Sequence, residues 1–302
     1  MRDEQFLPDP KPGNARGVSW GLEHRLQFID FRLRWEGRLN RTDLTEHFGL
    51  STPQASLDIA KYAELAPGNL SYDRSSRTYV AAEEFRPLFP RSSARRYLAE
   101  LLATKTGLLE VAASFIGSAP EVDAAPSPWR AVDEHTVEAI VKAIRQKLAV
   151  TVSYQSMSSS EPTTRRLSPH ALGYDGFRWH ARAYCHLDNK FKDFLLPRIL
   201  EVRDKDKPGL TGSSDWHWNN YFDVIIGPHP DLTESQKQVV AKDYGFDHGR
   251  GVLSVRHAML FYVLKRLGLL GDATKLSART QHIVALNRKE TETALQAAEV
   301  QL

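Results

Sequence analysis

The chain has 302 residues, of which 41% are hydrophobic, 25% charged and 10% aromatic, the composition of a folded globular protein and not of a disordered, collagen-like or membrane-embedded one. At roughly 100–200 residues per domain, this length predicts two or three domains. A single cysteine, Cys185, excludes an internal disulfide framework and any zinc site built on several cysteines. With no apolar run near 18 residues and no signal-peptide core, the expected setting is cytoplasmic and nucleoid-associated, without a membrane partner.

Forty basic against thirty-seven acidic side chains leave a net charge of +3, so the distribution matters more than the sum. Arg16, Arg25, Arg32, Arg34, Arg38 and Arg41 stand against only Glu23, Asp30 and Glu36. Residues 1–17 show no periodicity and are predicted to form a mobile arm. Leu22, Leu26, Ile29 and Leu33 then fall on one stripe of an α-helix that should stop near Gly37. Thr42 can cap a second short helix carrying Leu44 and Phe48, ended by Gly49. Ser51, followed by Thr52 and Pro53, opens a third helix with Ala55, Ile59, Tyr62 and Ala63 inward. Thr52, Gln54, Ser56 and Lys61 are then expected to face outward. A hairpin follows, Leu70 to Tyr72 and Arg77 to Ala81 about a turn that holds Arg74 and Ser76.

Three helices and a hairpin in this order predict a winged helix-turn-helix over 18–90. Short polar side chains at the start of the third helix suit the major groove, and arginines at a hairpin tip suit phosphates. The candidate DNA-binding set is therefore Ser51, Thr52, Gln54, Ser56, Lys61, Arg74, Ser76 and Arg77. Residues 85–117 are helical by composition. Pro120, Pro126 and Pro128 mark a linker, so 91–132 is expected to connect two larger domains. A helix from Asp133 to Leu148 precedes a switch to period two: strands over Val150–Tyr154, Arg166–Leu172, Phe177–Cys185 and Phe191–Leu196. In the third of these, alternation sends Arg178, His180, Arg182 and Tyr184 to one face and Trp179, Ala181, Ala183 and Cys185 to a core face. A row of two guanidiniums, an imidazole and a phenol suits an anionic ligand.

The segments VSYQS at 152–156, LSPHALGYDGFRWHARAYC at 167–185 and FKDFLLPRI at 191–199 resemble a WYL domain, with His180 and Ala181 where Tyr and Leu usually follow the tryptophan. The chain as a whole resembles the BrxR and CapW type of repressor that controls phage-defence operons. The resemblance implies an α+β fold: an N-terminal winged helix-turn-helix, connecting helices, a WYL Sm-like β-barrel at 133–207 and a C-terminal α/β dimerisation module at 208–302. It further implies a homodimer on a double-stranded operator, controlled by a nucleotide or nucleic-acid effector. The implied effector positions are Tyr154, Ser156, His170, His180, Arg182, Tyr184 and Arg198, to which the strand pattern adds Arg178.

No GxSxG, phosphate-binding loop, GxGxxG or HExxH motif is present, the histidines lack metal-ligand spacing, and Cys185 falls on a core face. The sequence therefore predicts neither an enzyme nor a cofactor or metal. Basic and aromatic residues sharing a β-face would equally suit an accessory subunit that binds single-stranded nucleic acid for a partner enzyme, although such a subunit has no need of a duplex reader.

Overall fold

A computed structural model describes residues 20–126, 128, 131–206 and 210–298. The predicted arm over 1–17, with Arg16, lies outside them. The described chain divides into two compact units, one up to Pro128 and one from residue 131 onward.

In the first unit, helix α1 (Trp20–Glu36), strand β1 (Arg38–Leu39), helices α2 (Arg41–Phe48) and α3 (Thr52–Leu65), and strands β2 (Leu70–Asp73) and β3 (Thr78–Ala81) follow in order. The strands form a sheet in the order β1-β3-β2, with Tyr72 opposite Tyr79 and Leu39 opposite Tyr79 across the ladders. Leu26, Ile29 and Leu33 are buried as their spacing predicts, against Leu44, Ala55, Ile59 and Tyr62. The cap of α2 is Asn40 and not Thr42: Asn40 is extended, and its backbone N–H donates to the Asp43 carboxylate. Gly49 ends α2 at φ +65°, a left-handed turn that glycine adopts without cost.

The helix expected over 85–117 is reduced to α4 (Ala94–Lys105). Pro87 and Pro90 interrupt what precedes it, Ser93 caps it, and Gly107 at φ +73° follows it. The stretch before α4 is held instead by Asp30, which is fully buried. Its carboxylate accepts from Tyr62 Oη at 2.7 Å, from the backbone N–H of Leu88 at 2.8 Å and Phe89 at 3.3 Å, and from the Ser92 hydroxyl. Burial and the neighbouring Asp30 push the Tyr62 phenol well above its ordinary pKa.

The second unit begins with α5 (Glu134–Gln146), capped by Asp133, and five antiparallel strands: β4 (Ala149–Tyr154), β5 (Thr163–Tyr174), β6 (Trp179–Cys185), β7 (Lys190–Leu195) and β8 (Ile199–Asp206). Their order is β7-β6-β5-β4-β8. The barrel expected here is not closed, since no ladder joins the edge strands β7 and β8 among the described residues. The sheet is nevertheless strongly curled. Leu195 and Ile199 lie on opposite edges, which in a flat sheet would stand about 19 Å apart, whereas four residues of chain reach about 14 Å at most. Register shifts in β4·β8 and β5·β6 supply the bending. A 3₁₀ turn holding Pro197, which has no N–H to donate, occupies the corner where a closing ladder would form.

The chain continues through α6 (Trp216–Asn219), β9 (Tyr221–Pro228), α7 (Glu234–Tyr244), β10 (Gly251–Arg256), α8 (Leu260–Arg266), β11 (Ile283–Ala285) and α9 (Arg288–Ala297). Here a three-stranded antiparallel sheet, β10-β9-β11, packs on a core of its own containing Val224, Ile226, Val240, Leu260 and Leu264. No helix of the described residues is long and apolar enough to cross a membrane.

Candidate nucleic-acid interface and polar centre

Ser51 caps α3, its hydroxyl accepting from the Gln54 backbone N–H at 3.4 Å, and Ser51, Thr52 and Pro53 are exposed beside the left-handed turn at Gly49. Thr52 is exposed as predicted, but the centre of the outward face lies elsewhere. Because Ala55, Asp58, Ile59 and Tyr62 are buried, the opposite pole of the helix falls on Pro53, Leu57, Ala60 and Glu64, at i, i+4, i+7 and i+11. Gln54 and Ser56 are half-buried flanking residues. Gln54 Nε2 donates to Asp58 at 2.9 Å, and Asp58 is buried against Arg25, which donates through Nε at 2.6 Å and Nη2 at 3.2 Å. The Ser56 hydroxyl donates to the Thr52 carbonyl at 3.0 Å, and Lys61 pairs with Glu64 at 2.9 Å. A helix wheel turned by 100° per residue from Ala55 would have placed Leu57 outward. The Arg25–Asp58 pair is a tertiary contact that periodicity does not reveal.

At the hairpin tip, Asp73 organises the turn. Its carboxylate accepts from the Ser75 N–H and hydroxyl and from the Ser76 hydroxyl, and these bonds hold its pKa at about 2. Arg74 and Arg77 are exposed and make no ion pair among the described residues, and Arg77 sits at φ +55°. Arg41, part of the basic cluster but not of the candidate DNA-binding set, lies against the same hairpin. Its Nη2 donates to Tyr79 Oη at 3.0 Å, and the guanidinium lies 5.6 Å from the Tyr79 ring, which packs edge-on with Tyr72.

In the second unit the basic row of β6 is buried. Arg182 is 6% and His180 4% exposed. The anion that the mid-strand arginine calls for comes from the chain itself. Arg182 donates through Nε at 2.7 Å and Nη2 at 3.1 Å to Asp215, and through Nη1 at 3.2 Å to Asp193. Asp215, fully buried, also bonds His170 Nε2 at 2.9 Å and caps α6 by accepting from the Trp218 N–H. Burial alone would raise the Asp215 pKa, but the bonds from His170 and Arg182 hold it far below the carboxylate range. Asp193 also accepts from Tyr262 Oη at 3.1 Å, and burial together with that carboxylate pushes the phenol up. Asp175 takes Arg178 Nε at 2.8 Å and His180 Nε2 at 3.1 Å. These hydrogen bonds outweigh burial and set its pKa at about 2.

The other proposed effector residues stand apart from this network. Tyr154 is a core residue, edge-on to Phe194, with its hydroxyl accepting from the Leu195 N–H. Ser156 shares a hydrogen bond with Ser158, and Tyr184 packs against His186 and Phe191. Arg198 is half-buried, and its guanidinium has no hydrogen bond among the described residues. Trp179, expected in the core, is half-exposed and packs on Tyr174 at the end of the sheet, while Ala181, Ala183 and Cys185 are buried as expected. The eight residues thus do not line one pocket. A cavity of about 280 Å³ opens beside only one of them, His170, lined also by Ile144, Lys147, Ser168, Leu210 and Ser213.

A three-helix unit with a hairpin wing, followed by a WYL-type sheet and a C-terminal α/β module, is the build of a DNA-binding transcriptional regulator, a class without enzymatic activity. Residues 21–103 match the winged helix-turn-helix domain of the BrxR transcriptional regulator, 135–204 the WYL domain, and 221–291 the C-terminal dimerization domain of the BrxR transcriptional regulator. The chain is 46% identical over 275 residues to the DNA-binding transcriptional repressor CapW of Stenotrophomonas maltophilia, covering 90% of this chain and 92% of that one. It is 40% identical over 298 residues to CapW of Pseudomonas aeruginosa, covering 98% and 100% of the two chains. Over 275 residues it is 40% identical to CapW of Escherichia coli (strain KTE188), covering 91% and 92%. The chain belongs to the CapW family of DNA-binding transcriptional repressors.

Proposed function

We propose that two copies of this chain bind an inverted-repeat operator and repress a phage-defence operon, acting in the cytoplasm on nucleoid DNA. The observation that carries the reading is the exposed, Ser51-capped start of α3 in a unit whose wing tip holds two exposed arginines with no ion pair among the described residues. Two such units on a two-fold axis would meet half-sites roughly 34 Å apart, or a multiple of that. Thr52 and Gln54 would meet base edges, and Arg74 and Arg77 would hold phosphates. Domain boundaries at 18–90, 91–132, 133–207 and 208–302 fit this division of labour.

Control by a small anionic effector fits the second unit. A negatively charged ligand that competes with Asp215 for Arg182 would loosen β6 from the segment leading into the C-terminal module, and so favour one arrangement of the dimer. The cavity beside His170, Lys147 and Ser168 is at the small end of ligand pockets, which suits a nucleotide better than a strand.

The test is fluorescence anisotropy with DNA taken from upstream of the gene. Two chains per duplex and at least a 10³-fold preference over random duplex are expected. Equal affinity for both would refute operator recognition, and nucleotide binding that leaves operator affinity unchanged would refute effector control.

A further inference from the structure

We propose that Leu57 reads the 5-methyl group of thymine in each half-site. The inference rests on the repressor reading above and specifies what α3 recognises. Leu57 is 64% exposed, on a helix whose other large apolar side chains are mostly packed inward. It lies between Pro53 and Ala60 on the outward stripe. A lone exposed leucine is ordinary on a protein surface, but here three of the four residues on the pole, all but Glu64 at its far end, are apolar.

Beside that pole the Ser56 hydroxyl donates to the Thr52 carbonyl, Lys61 pairs with Glu64, and Gln54 donates through Nε2 to Asp58, which leaves its Oε1 for a base edge. The face presented to DNA past Gln54 is therefore poor in free donors and acceptors. In the major groove only thymine carries an apolar substituent on its base edge. Burying a leucine against that methyl removes both from water, whereas cytosine or guanine at the same place would leave a hydrogen-bonding edge against hydrocarbon. A thymine within reach of the second turn of α3, once per half-site, is the sequence feature this geometry selects.

The experiment uses the full-length chain. A preferred duplex is selected from a randomised library, and each thymine is replaced in turn by deoxyuracil, which removes the methyl group and keeps the pairing. At one thymine per half-site the wild type should bind about fourfold more weakly, or about fifteenfold with both half-sites replaced, the transfer value of one methyl group at each. Leu57→Ala should be indifferent to that replacement, and Leu57→Met should remain sensitive. Absence of any methyl dependence in the wild type overturns the inference, as does the same dependence in Leu57→Ala. A Leu57→Ala chain that loses its dimeric state while thymine replacement stays silent assigns the side chain to a protein contact and overturns it as well. Enrichment of no sequence from the library would instead refute the operator reading itself.

Discussion

Replacing Asp215 by alanine tests the polar centre of the second unit most directly. Arg182, 6% exposed, makes three hydrogen bonds to carboxylates, and two of them go to Asp215. The substitution strands those two N–H groups beside a charge that cannot leave the interior, and removing one partner of a buried pair costs about 3–5 kcal/mol. It also removes the cap of α6, worth about 1 kcal/mol. A loss near 4 kcal/mol, with a urea slope of about 2 kcal/mol/M, moves the unfolding midpoint down by about 2 M. Urea titration followed by tryptophan fluorescence reports it, since Trp216 and Trp218 adjoin the site. In the double variant Arg182→Met/Asp215→Ala the orphaned charge is gone, so the two losses should fall short of additivity by about 2 kcal/mol. A midpoint shift below about 0.5 M, or strict additivity, would show that Asp193 alone satisfies the guanidinium and that the argument is wrong.

Acid should destabilise the same unit. The pKa of Asp175 is lowered to about 2 in the folded state, so its contribution is complete above the unfolded-state value near 3.9 and lost as the pH falls through about 2. Asp215 acts with the same sign, and midpoints at pH 7, 4 and 2.5 would follow the loss. In the first unit, Arg77→Ala should weaken binding to all duplexes alike and lower the slope of log affinity against log salt by about 1, whereas Gln54→Ala should cut the operator-over-random ratio by about tenfold. Equal losses on both duplexes for Gln54→Ala would remove that residue from base reading. Gly49→Ala forces φ +65° on a residue with a Cβ and should cost about 1 kcal/mol, measurable by thermal melting.

Much of the first unit is legible in the chain because its signals are local: the stripe from Leu26 to Leu33, Gly49, Ser51 before Pro53, and an Asp-Arg-Ser-Ser turn between two β-prone runs. Polarity does not mark the pole of α3. Gln54 and Asp58 are polar yet turned towards Arg25, and Leu57 is apolar yet in water. In the second unit, alternation separates the two faces of β6 but carries no information on what covers either of them. Asp215 lies 33 residues beyond Arg182 in the chain, on a stretch with no periodicity, so no pattern in either segment marks the pair. The open edge between β7 and β8 has no local signal either, because closure depends on the bend of the whole sheet around Pro197.

Arg182 bonds Asp193 from its own sheet and Asp215 from the segment entering the C-terminal module, and this limits how the molecule can be taken apart. The WYL-type sheet is not a cassette. A graft ending at the last strand of the sheet would keep Asp193 but strand the two N–H groups of Arg182 that Asp215 accepts from. Chimeras that exchange this sheet between repressors should therefore be joined near residue 130 and carry everything downstream as one block.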